Sequence, residues 1–204
     1  MMNADFRIHG AIIETDRLIL RPFQETDLDD FYEYASVEGV GEMAGWKHHE
    51  NKEESKKILD LFIKEDKTFA ICLKSNQKVI GSLGIEKYGM EKELTEFQDY
   101  KGREIGYVLS KDYWGKGLMP EAVRKVIEYL FNELNYDFLL CAYFTFNNQS
   151  KRVQEKCGFK PYRKLIMKTS FNTKEESILN LLINPNKKIK FEFSHPETLI
   201  YEEK

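Results

Sequence analysis

The chain has few cysteines and few prolines. Its 204 residues include three Cys and five Pro. Cys72, Cys141 and Cys157 form an odd count without a Cys-x-x-Cys pair, and each lies in or beside an apolar segment. This usage is typical of reduced, buried thiols rather than of the disulfide framework of a secreted domain. We therefore expect the protein to lie in the cytoplasm.

Long hydrophobic runs and an excess of positive charge are also absent from the sequence. No apolar stretch reaches the roughly 18 residues of a membrane span, and residues 1–14 lack the basic and apolar regions of a signal peptide. Lys and Arg number 31 against 34 Asp and Glu, which gives a formal net charge of -3. Proteins that coat nucleic acids are usually basic. The sequence thus predicts that the partner is neither nucleic acid nor a membrane.

Apolar and aromatic residues are plentiful. Hydrophobic residues make up 42% of the chain and charged residues 32%, with 14 Phe, 11 Tyr and 2 Trp. A domain of this length buries roughly 70% of its unfolded surface, which is enough for a hydrophobic core without disulfides. Because neither a repeat nor a linker rich in Pro, Gly or Ser divides the chain, we expect one domain.

Strand and helix patterns are mixed along the chain. Alternating or continuous apolar runs predict strands, and apolar residues at helical spacing predict helices. The predicted strands are 17–21, 68–73, 79–85, 103–110, 136–146, 163–169 and 178–183, and the predicted helices are 27–35, 51–64, 120–134 and 150–156. Helices inserted among strands in this order indicate an α/β (α+β) domain around one mixed sheet.

The segment 104–121 carries the clearest chemical signal. A strand runs into a turn with Gly115 and Gly117, and Pro120 opens an amphipathic helix. Such a turn directs main-chain N–H groups and the positive end of a helix dipole at one point, where a phosphate or pyrophosphate fits. A P-loop is excluded because Gly117 follows Lys116, and a dinucleotide fingerprint because Pro120 replaces the third glycine. A plain tight turn is the alternative.

Two further blocks accompany this turn. The blocks 14–22 (ETDRLILRP), 113–121 (YWGKGLMPE) and 147–159 (NNQSKRVQEKCGF) follow one another in this order. In order and separation they resemble the GNAT superfamily of acetyl-CoA-dependent N-acetyltransferases. They are most similar to its Rim-type branch, which is named for enzymes that acetylate ribosomal-protein N-termini. The resemblance covers roughly residues 14–183, most of the chain.

The resemblance implies the GNAT fold, a mixed and mostly antiparallel sheet of about seven strands flanked by helices and splayed between the family's fourth and fifth strands. Residues 14–183 would form the acetyltransferase domain, after an N-terminal lead of residues 1–13. Residues 184–204 would be a strand-like C-terminal extension of the same domain, since Ile189, Phe191 and Phe193 alternate with charged residues. This extra strand would pair with the sheet edge or a second subunit, so we expect a monomer or a homodimer.

The resemblance also implies how the cosubstrate acetyl-CoA is held. The family's turn grips the pyrophosphate with main-chain amides, the strand before it offers backbone hydrogen bonds to the pantetheine, and the third block adds contacts. The residues at these positions are Val108, Leu109, Trp114, Gly115, Lys116, Gly117, Leu118, Met119, Asn147 and Arg152. Asp112 departs from the Gln or Arg that often begins the motif, which weakens any side-chain contribution there. For Arg152, a solvated helix face is the alternative.

The implied reaction is direct attack of an amine on the acetyl thioester. A base must take a proton from the amine, directly or through water, and Glu104 matches the position where many relatives place that base. The alternative for Glu104 is a surface carboxylate paired with Arg103 or a neighbouring Lys. The Val108 amide would stabilise the negative charge that develops on the thioester oxygen.

The third block would serve the leaving thiolate. Asn147 and Ser150 match the Asn-x-x-Ser pattern that Rim-type relatives place near the sulfur and the pantetheine. Gln154 stands where another branch of the family has a tyrosine that protonates the thiolate. Ser150 could equally be a helix N-cap and nothing more. Glu104, Asn147 and Ser150 are thus the candidate catalytic residues.

The loop between the first two predicted helices lines the acceptor pocket in relatives. Trp46 and His48 would therefore contact the substrate, and packing on the domain edge is the alternative for the tryptophan. His48 and His49 are adjacent without a third ligand at suitable spacing, so no metal is expected.

The resemblance thus predicts transfer of an acetyl group from acetyl-CoA to a primary amine. The acceptor is either a protein N-terminus or a small-molecule amine. The alternative is a catalytically silent domain that binds coenzyme A as a sensor or scaffold.

Overall fold

The structure is a computed structural model that describes residues 2–89, 92, 94–189 and 198–200. Two compact units interleave along the chain. The first contains residues 6–85 and 107–126, and the second contains the described residues of 1–5, 86–106 and 127–204. Within the described part of the chain, no helix is both long and apolar enough to cross a membrane. A single domain over residues 14–183 stays a prediction.

Strands with two complete helices and most of a third build the first unit. Its elements are β1 (Ile13–Glu14), β2 (Leu18–Pro22), α1 (Leu28–Ala35), α2 (Lys52–Glu65), β3 (Thr68–Leu73), β4 (Val79–Glu86), the end of β5 (Gly102–Leu109) and most of α3 (Leu118–Glu128). Neighbouring strands pair in the order β1-β2-β3-β4-β5, and the pairs from β1 to β4 are antiparallel.

An aromatic core holds helices α1 and α2 in place. Helix α2 begins after Asn51, whose side chain accepts a hydrogen bond of 2.9 Å from the Glu54 N–H. The rings of Phe23 and Phe62 lie 5.3 Å apart within the core. Val108 at the end of β5 and Trp114 in the turn beyond it pack against the same cluster. The core therefore supports the glycine turn from beneath.

The second unit is a sheet with one helix over it. Its elements are the start of β5, β6 (Phe138–Phe144), α4 (Asn148–Lys156), β7 (Lys160–Lys168), β8 (Lys174–Ile183) and β9 (Thr198–Ile200). The strand order is β5-β6-β8-β7-β9. The pairs of β8 with β6 and with β7 are antiparallel, and β5–β6 and β7–β9 are parallel.

The ladder between β5 and β6 is short. Its register joins only Gly102–Glu104 to Phe138–Leu140, so Ile105 and Gly106 lie beyond it. This is the opening expected between the family's fourth and fifth strands. The two strands are the fifth and sixth here because Ile13–Glu14 adds a two-residue strand at the start. The open, mostly antiparallel sheet flanked by helices confirms the predicted fold class.

Helix α3 and the chain termini differ from the sequence-based expectation. Helix α3 begins at Leu118, two residues before the predicted start, because Pro is tolerated throughout the first turn, where N–H groups have no helical acceptor. Phe6 and Ile8, in the predicted N-terminal lead, are buried.

The described part of the C-terminal extension contains one strand. It covers Thr198–Ile200 and pairs in parallel with β7. Ile189 precedes it and lies outside any strand. Phe191 and Phe193 lie outside the described residues.

Candidate active site

The turn after β5 depends on two glycines with left-handed backbone. Gly115 and Gly117 have φ angles of 75° and 74°, which cost a residue with a side chain roughly 1–2 kcal/mol. A Cβ at Gly115 would meet nothing within 4 Å, and one at Gly117 would meet Arg17 Nη2 at 3.7 Å. The glycines therefore serve the backbone conformation, not a lack of space. The segment from Gly115 to Gly117 is exposed and leads directly into α3, as an anion-binding turn requires.

A carboxylate on α3 ties this turn to the start of β2. Glu121 Oε1 accepts hydrogen bonds from Thr15 Oγ1 at 2.5 Å and from the Arg17 N–H at 3.0 Å. Its Oε2 accepts from Arg17 Nε at 2.7 Å and lies 2.6 Å from Nη2. Arg17 Nη1 also donates to the carbonyl of Lys116, at 3.0 Å. Partial burial raises the pKa of Glu121, but the hydrogen bonds from Thr15 and Arg17 outweigh it and the pKa is lowered. We name these three side chains, Thr15, Arg17 and Glu121, the turn clamp.

Trp114 joins the turn to the strand that precedes it. Its indole Nε1 donates a hydrogen bond of 2.8 Å to the carbonyl of Leu109. A Cβ at Gly81 on β4 would lie 2.3 Å from the carbonyl oxygen of Val108, so only glycine permits this approach. The end of β5 is thus held by backbone and indole contacts. Coenzyme contacts by Val108 and Leu109 stay a prediction.

The end of β6 and the start of α4 bring Asn147 and Ser150 together. Asn147 is the N-cap of α4, and its Oδ1 accepts a hydrogen bond of 2.9 Å from the Ser150 N–H. The alternative in which Ser150 is the N-cap is therefore wrong, because Asn147 fills that position. Asn147 is buried, Ser150 is half-buried and Arg152 is exposed on the helix surface.

Glu104 lies within the short ladder between β5 and β6. It pairs in register with Leu140 and its side chain is half-buried. The neighbouring Arg103 is buried, and its Nε donates to the carbonyl of Ala4 at 2.6 Å. Successive side chains of a strand point to opposite faces. The side chains of Glu104 and Arg103 therefore lie on opposite faces of the sheet. Glu104 stays the candidate base.

The loop that holds Trp46 and His48 is organised by a glutamate. Glu42 Oε1 accepts from the His48 N–H at 3.0 Å and lies 2.8 Å from His48 Nδ1, and its Oε2 accepts from the Gly39 N–H at 2.7 Å. The Trp46 ring packs 5.1 Å from the ring of His49. His49 is buried and its Nδ1 lies 2.7 Å from Ser55 Oγ, so the two histidines face different surroundings. Among the described residues, no three His, Cys, Asp or Glu side chains could hold a metal ion together.

This loop should lose stability in acid. Partial burial raises the pKa of Glu42, but hydrogen bonds from His48 and Gly39 lower it to about 2 from 4.5. The stabilisation is therefore present above pH 4.5 and is lost as the pH falls towards 2. We expect Glu42→Gln to reduce the free energy of unfolding by about 1 kcal/mol at pH 7, because an NH2 group then faces an N–H donor.

Urea unfolding of both proteins from pH 7 to pH 3 measures this effect. The difference between them should narrow as the pH falls. Glu38→Gln, at an exposed acid of the same loop, is the matched control. A difference that stays constant over this range would refute the assignment to the Glu42 carboxylate.

Sequence reasoning placed the turn but missed the groups that hold it. The turn clamp joins residues more than 100 positions apart, and Glu42 precedes His48 by six. Thr15 and Arg17 belong to the first quoted block and Glu121 ends the second, so the shared order of the blocks was the available signal. For Glu42 the sequence carried no comparable signal.

Comparisons with known proteins agree with this geometry. Residues 17–160 match the family model described as "Acetyltransferase (GNAT) domain". The uncharacterized N-acetyltransferase YoaA of Bacillus subtilis is 28% identical over 153 residues, which cover 72% of this chain and 82% of that protein. A GNAT-family acetyltransferase structure from Bacillus anthracis aligns with a TM-score of 0.74 at 21% identity, over 85% of this chain and 99% of that one. Ribosomal-protein-S5-alanine acetyltransferase from Vibrio fischeri aligns with a TM-score of 0.68 at 21% identity, over 88% and 100% of the two chains.

Proposed function

Because the chain belongs to the GNAT acetyltransferase family, we propose that it transfers the acetyl group of acetyl-CoA to a primary amine. The observation that carries this proposal is the clamped glycine turn at the start of α3. Gly115 and Gly117 adopt left-handed backbone, and room for a Cβ exists at both. Nothing in the packing of the turn requires glycine, so the conformation of its amides is what the two glycines supply.

The turn would bind the pyrophosphate of coenzyme A. The main-chain amides from Trp114 to Met119 are the donors, and Arg152, exposed on α4, is a further candidate for a phosphate. The turn clamp fixes the backbone of the turn before the ligand arrives, so little ordering entropy is lost on binding. Val108 and Leu109 would offer backbone hydrogen bonds to the pantetheine.

Acetyl transfer then needs a neutral amine. Glu104 would accept a proton from the acceptor ammonium, directly or through a water molecule. The amine nitrogen attacks the thioester carbon, and the Val108 amide stabilises the negative charge on the oxygen. As the carbon–sulfur bond breaks with its electron pair on sulfur, the nitrogen gives up its second proton to solvent and the neutral amide forms. Asn147 and Ser150 are proposed to lie near the sulfur.

The acceptor would be a protein N-terminus or a small-molecule amine, in contact with Trp46 and His48. Glu42 accepts from the His48 main chain and lies 2.8 Å from Nδ1, so the contact occupies one ring nitrogen of His48 and not the other. One structural neighbour is a ribosomal-protein-S5-alanine acetyltransferase. Peptides that begin with alanine are therefore the first acceptors to test.

A thiol-release assay tests the proposal. Acetyl-CoA is incubated with the protein and a panel of N-terminal peptides and small amines, and the acetylated products are identified by mass. We expect thiol release with a subset of acceptors, and about tenfold slower release from a Gly117→Val variant at low acetyl-CoA concentration, because a side chain disfavours the left-handed backbone of the turn. Tight binding of acetyl-CoA by calorimetry without turnover on any acceptor would favour the sensor or scaffold alternative instead.

A further inference from the structure

A buried chain of amides lies beneath helix α4. Gln154 has 0% of its surface exposed. Its Nε2 donates to the carbonyl of Ala142 at 3.1 Å and to Ser150 Oγ at 3.2 Å. Its Oε1 accepts from Asn180 Nδ2, on β8, at 2.8 Å. The side chain thus has a partner for both of its N–H hydrogens and for its oxygen.

The hydrogen bonds of this buried amide chain can run in only one donor-to-acceptor direction. The Ala142 carbonyl can only accept a hydrogen bond, so the NH2 group of Gln154 must face it, and the amide cannot be turned around without a clash of acceptors. The second N–H of the same group points at Ser150. The Ser150 oxygen therefore accepts from Gln154, and the hydrogen of its own hydroxyl is directed away from Gln154.

A contribution to folding stability alone does not explain why these amide side chains are buried. Burial of a polar side chain costs free energy unless its groups are paired, and an apolar side chain at position 154 would avoid that cost. One link is also incomplete, because the buried Oδ1 of Asn180 has no hydrogen-bond partner among the described residues. The orientation of the Ser150 hydroxyl by Gln154 gives these buried amides a function besides stability.

We propose that Gln154 is a positioning residue that orients the Ser150 hydroxyl as a hydrogen-bond donor to the departing sulfur, a role that rests on the proposed acetyl transfer. A primary amide is not acidic enough to replace the tyrosine of the other branch, so Gln154 acts through Ser150. As the carbon–sulfur bond breaks and the electron pair moves to sulfur, the hydroxyl donates to it and keeps its proton. The thiolate takes its proton from solvent afterwards.

Reversal of the hydrogen bond tests this role. Gln154→Glu keeps the shape, and its buried, neutral carboxyl donates its O–H to the Ala142 carbonyl. The same oxygen then accepts from Ser150, so the hydroxyl hydrogen turns inward. We expect kcat to fall about tenfold while KM for acetyl-CoA changes less than about twofold, because the interaction arises only as charge develops on sulfur. Gln154→Met, which removes the donor without adding an acceptor, should cost about threefold in kcat. Glu155→Gln, on the exposed face of α4, is the matched control.

A double-mutant cycle separates positioning from damage to the fold. In a Ser150→Ala background, Gln154→Glu should cause no further loss of kcat, whereas additive losses would overturn the role. If Gln154→Glu does not fold by thermal melting, Gln154→Met, which removes the donor to Ser150, takes its place in the cycle. A wild-type protein that binds acetyl-CoA but releases no thiol would overturn the proposed function. Normal wild-type turnover with additive losses would overturn the positioning role alone.

Discussion

Glu121→Ala should raise KM for acetyl-CoA about 30-fold and leave kcat within about threefold of the wild type. The carboxylate accepts hydrogen bonds from Thr15 and from the main chain and guanidinium of Arg17. Hydrogen bonds to a charged group contribute about 1.5–3 kcal/mol each, and 1.4 kcal/mol is tenfold in affinity. The loss of affinity is smaller than the sum because the turn keeps its glycines and the Trp114 contact.

The effect should fall on KM because of where the turn acts. The amides of the turn are proposed to hold the pyrophosphate, which does not change during acetyl transfer. An interaction that is equal in the ground state and the transition state changes binding and not kcat. Calorimetric titration of acetyl-CoA and the kinetics of thiol release together measure both quantities.

Two further variants make the test specific. Arg17→Met removes the other side of the turn clamp and should raise KM by a similar factor. The double variant should raise KM by less than the product of the two single effects, because both single variants remove the pair of Arg17 with Glu121. Glu128→Ala removes an exposed acid from the same helix and should leave KM unchanged. A Glu121→Ala protein with wild-type KM would show that the clamp does not shape the coenzyme site.

Local patterns in the sequence were enough to predict most of the elements. The strand Thr68–Leu73 has the predicted bounds, and α2 lies within one residue of them. Asn51 caps the start of α2, and the acidic residues after it favour the positive end of the helix dipole. Both signals lie within one short segment of the sequence. The glycine turn was predictable for the same reason. A glycine favours left-handed backbone at its own position, so Gly115 and Gly117 indicate the turn without any distant contact.

Contacts between distant segments could not be predicted in this way. Glu121 depends on Thr15 and Arg17, which are more than 100 residues away and share no period with it. Gln154 depends on Asn180, whose position opposite α4 is set by the register of β8 against β6. Polar side chains form hydrogen bonds with one another mainly where the fold buries them. The folded structure is therefore needed to show which of them are partners.

One error came from two residues that compete for the same local role. Both Asn147 and Ser150 are good N-cap types, and they lie three positions apart. The helix begins at Asn148, two residues before the predicted residue 150, so Asn147 takes the cap and the serine enters the first turn. The serine hydroxyl then meets Gln154 four residues on, which is one helical turn away.

Glu104→Gln should lower kcat/KM about 10²- to 10⁴-fold at neutral pH, the range over which a positioned base accelerates proton transfer. The amide cannot take the proton from the acceptor ammonium but keeps the shape of the side chain. Binding of acetyl-CoA should be unchanged, since Glu104 is proposed to act on the acceptor. Glu176→Gln, an exposed acid on β8, is the matched control and should retain full activity.

The pH dependence separates a base from a residue that only shapes the sheet. Above the pKa of the acceptor, the amine is already neutral and needs no base, so the gap between variant and wild type should close. The closing point should follow the acceptor: near pH 8 for a peptide α-amine and above about pH 10 for an alkyl amine like that of lysine. Profiles of kcat/KM against pH for one acceptor of each kind provide the measurement. Parallel profiles for variant and wild type with both acceptors would remove Glu104 from the base role, because a structural defect has no reason to vanish at the pKa of the substrate.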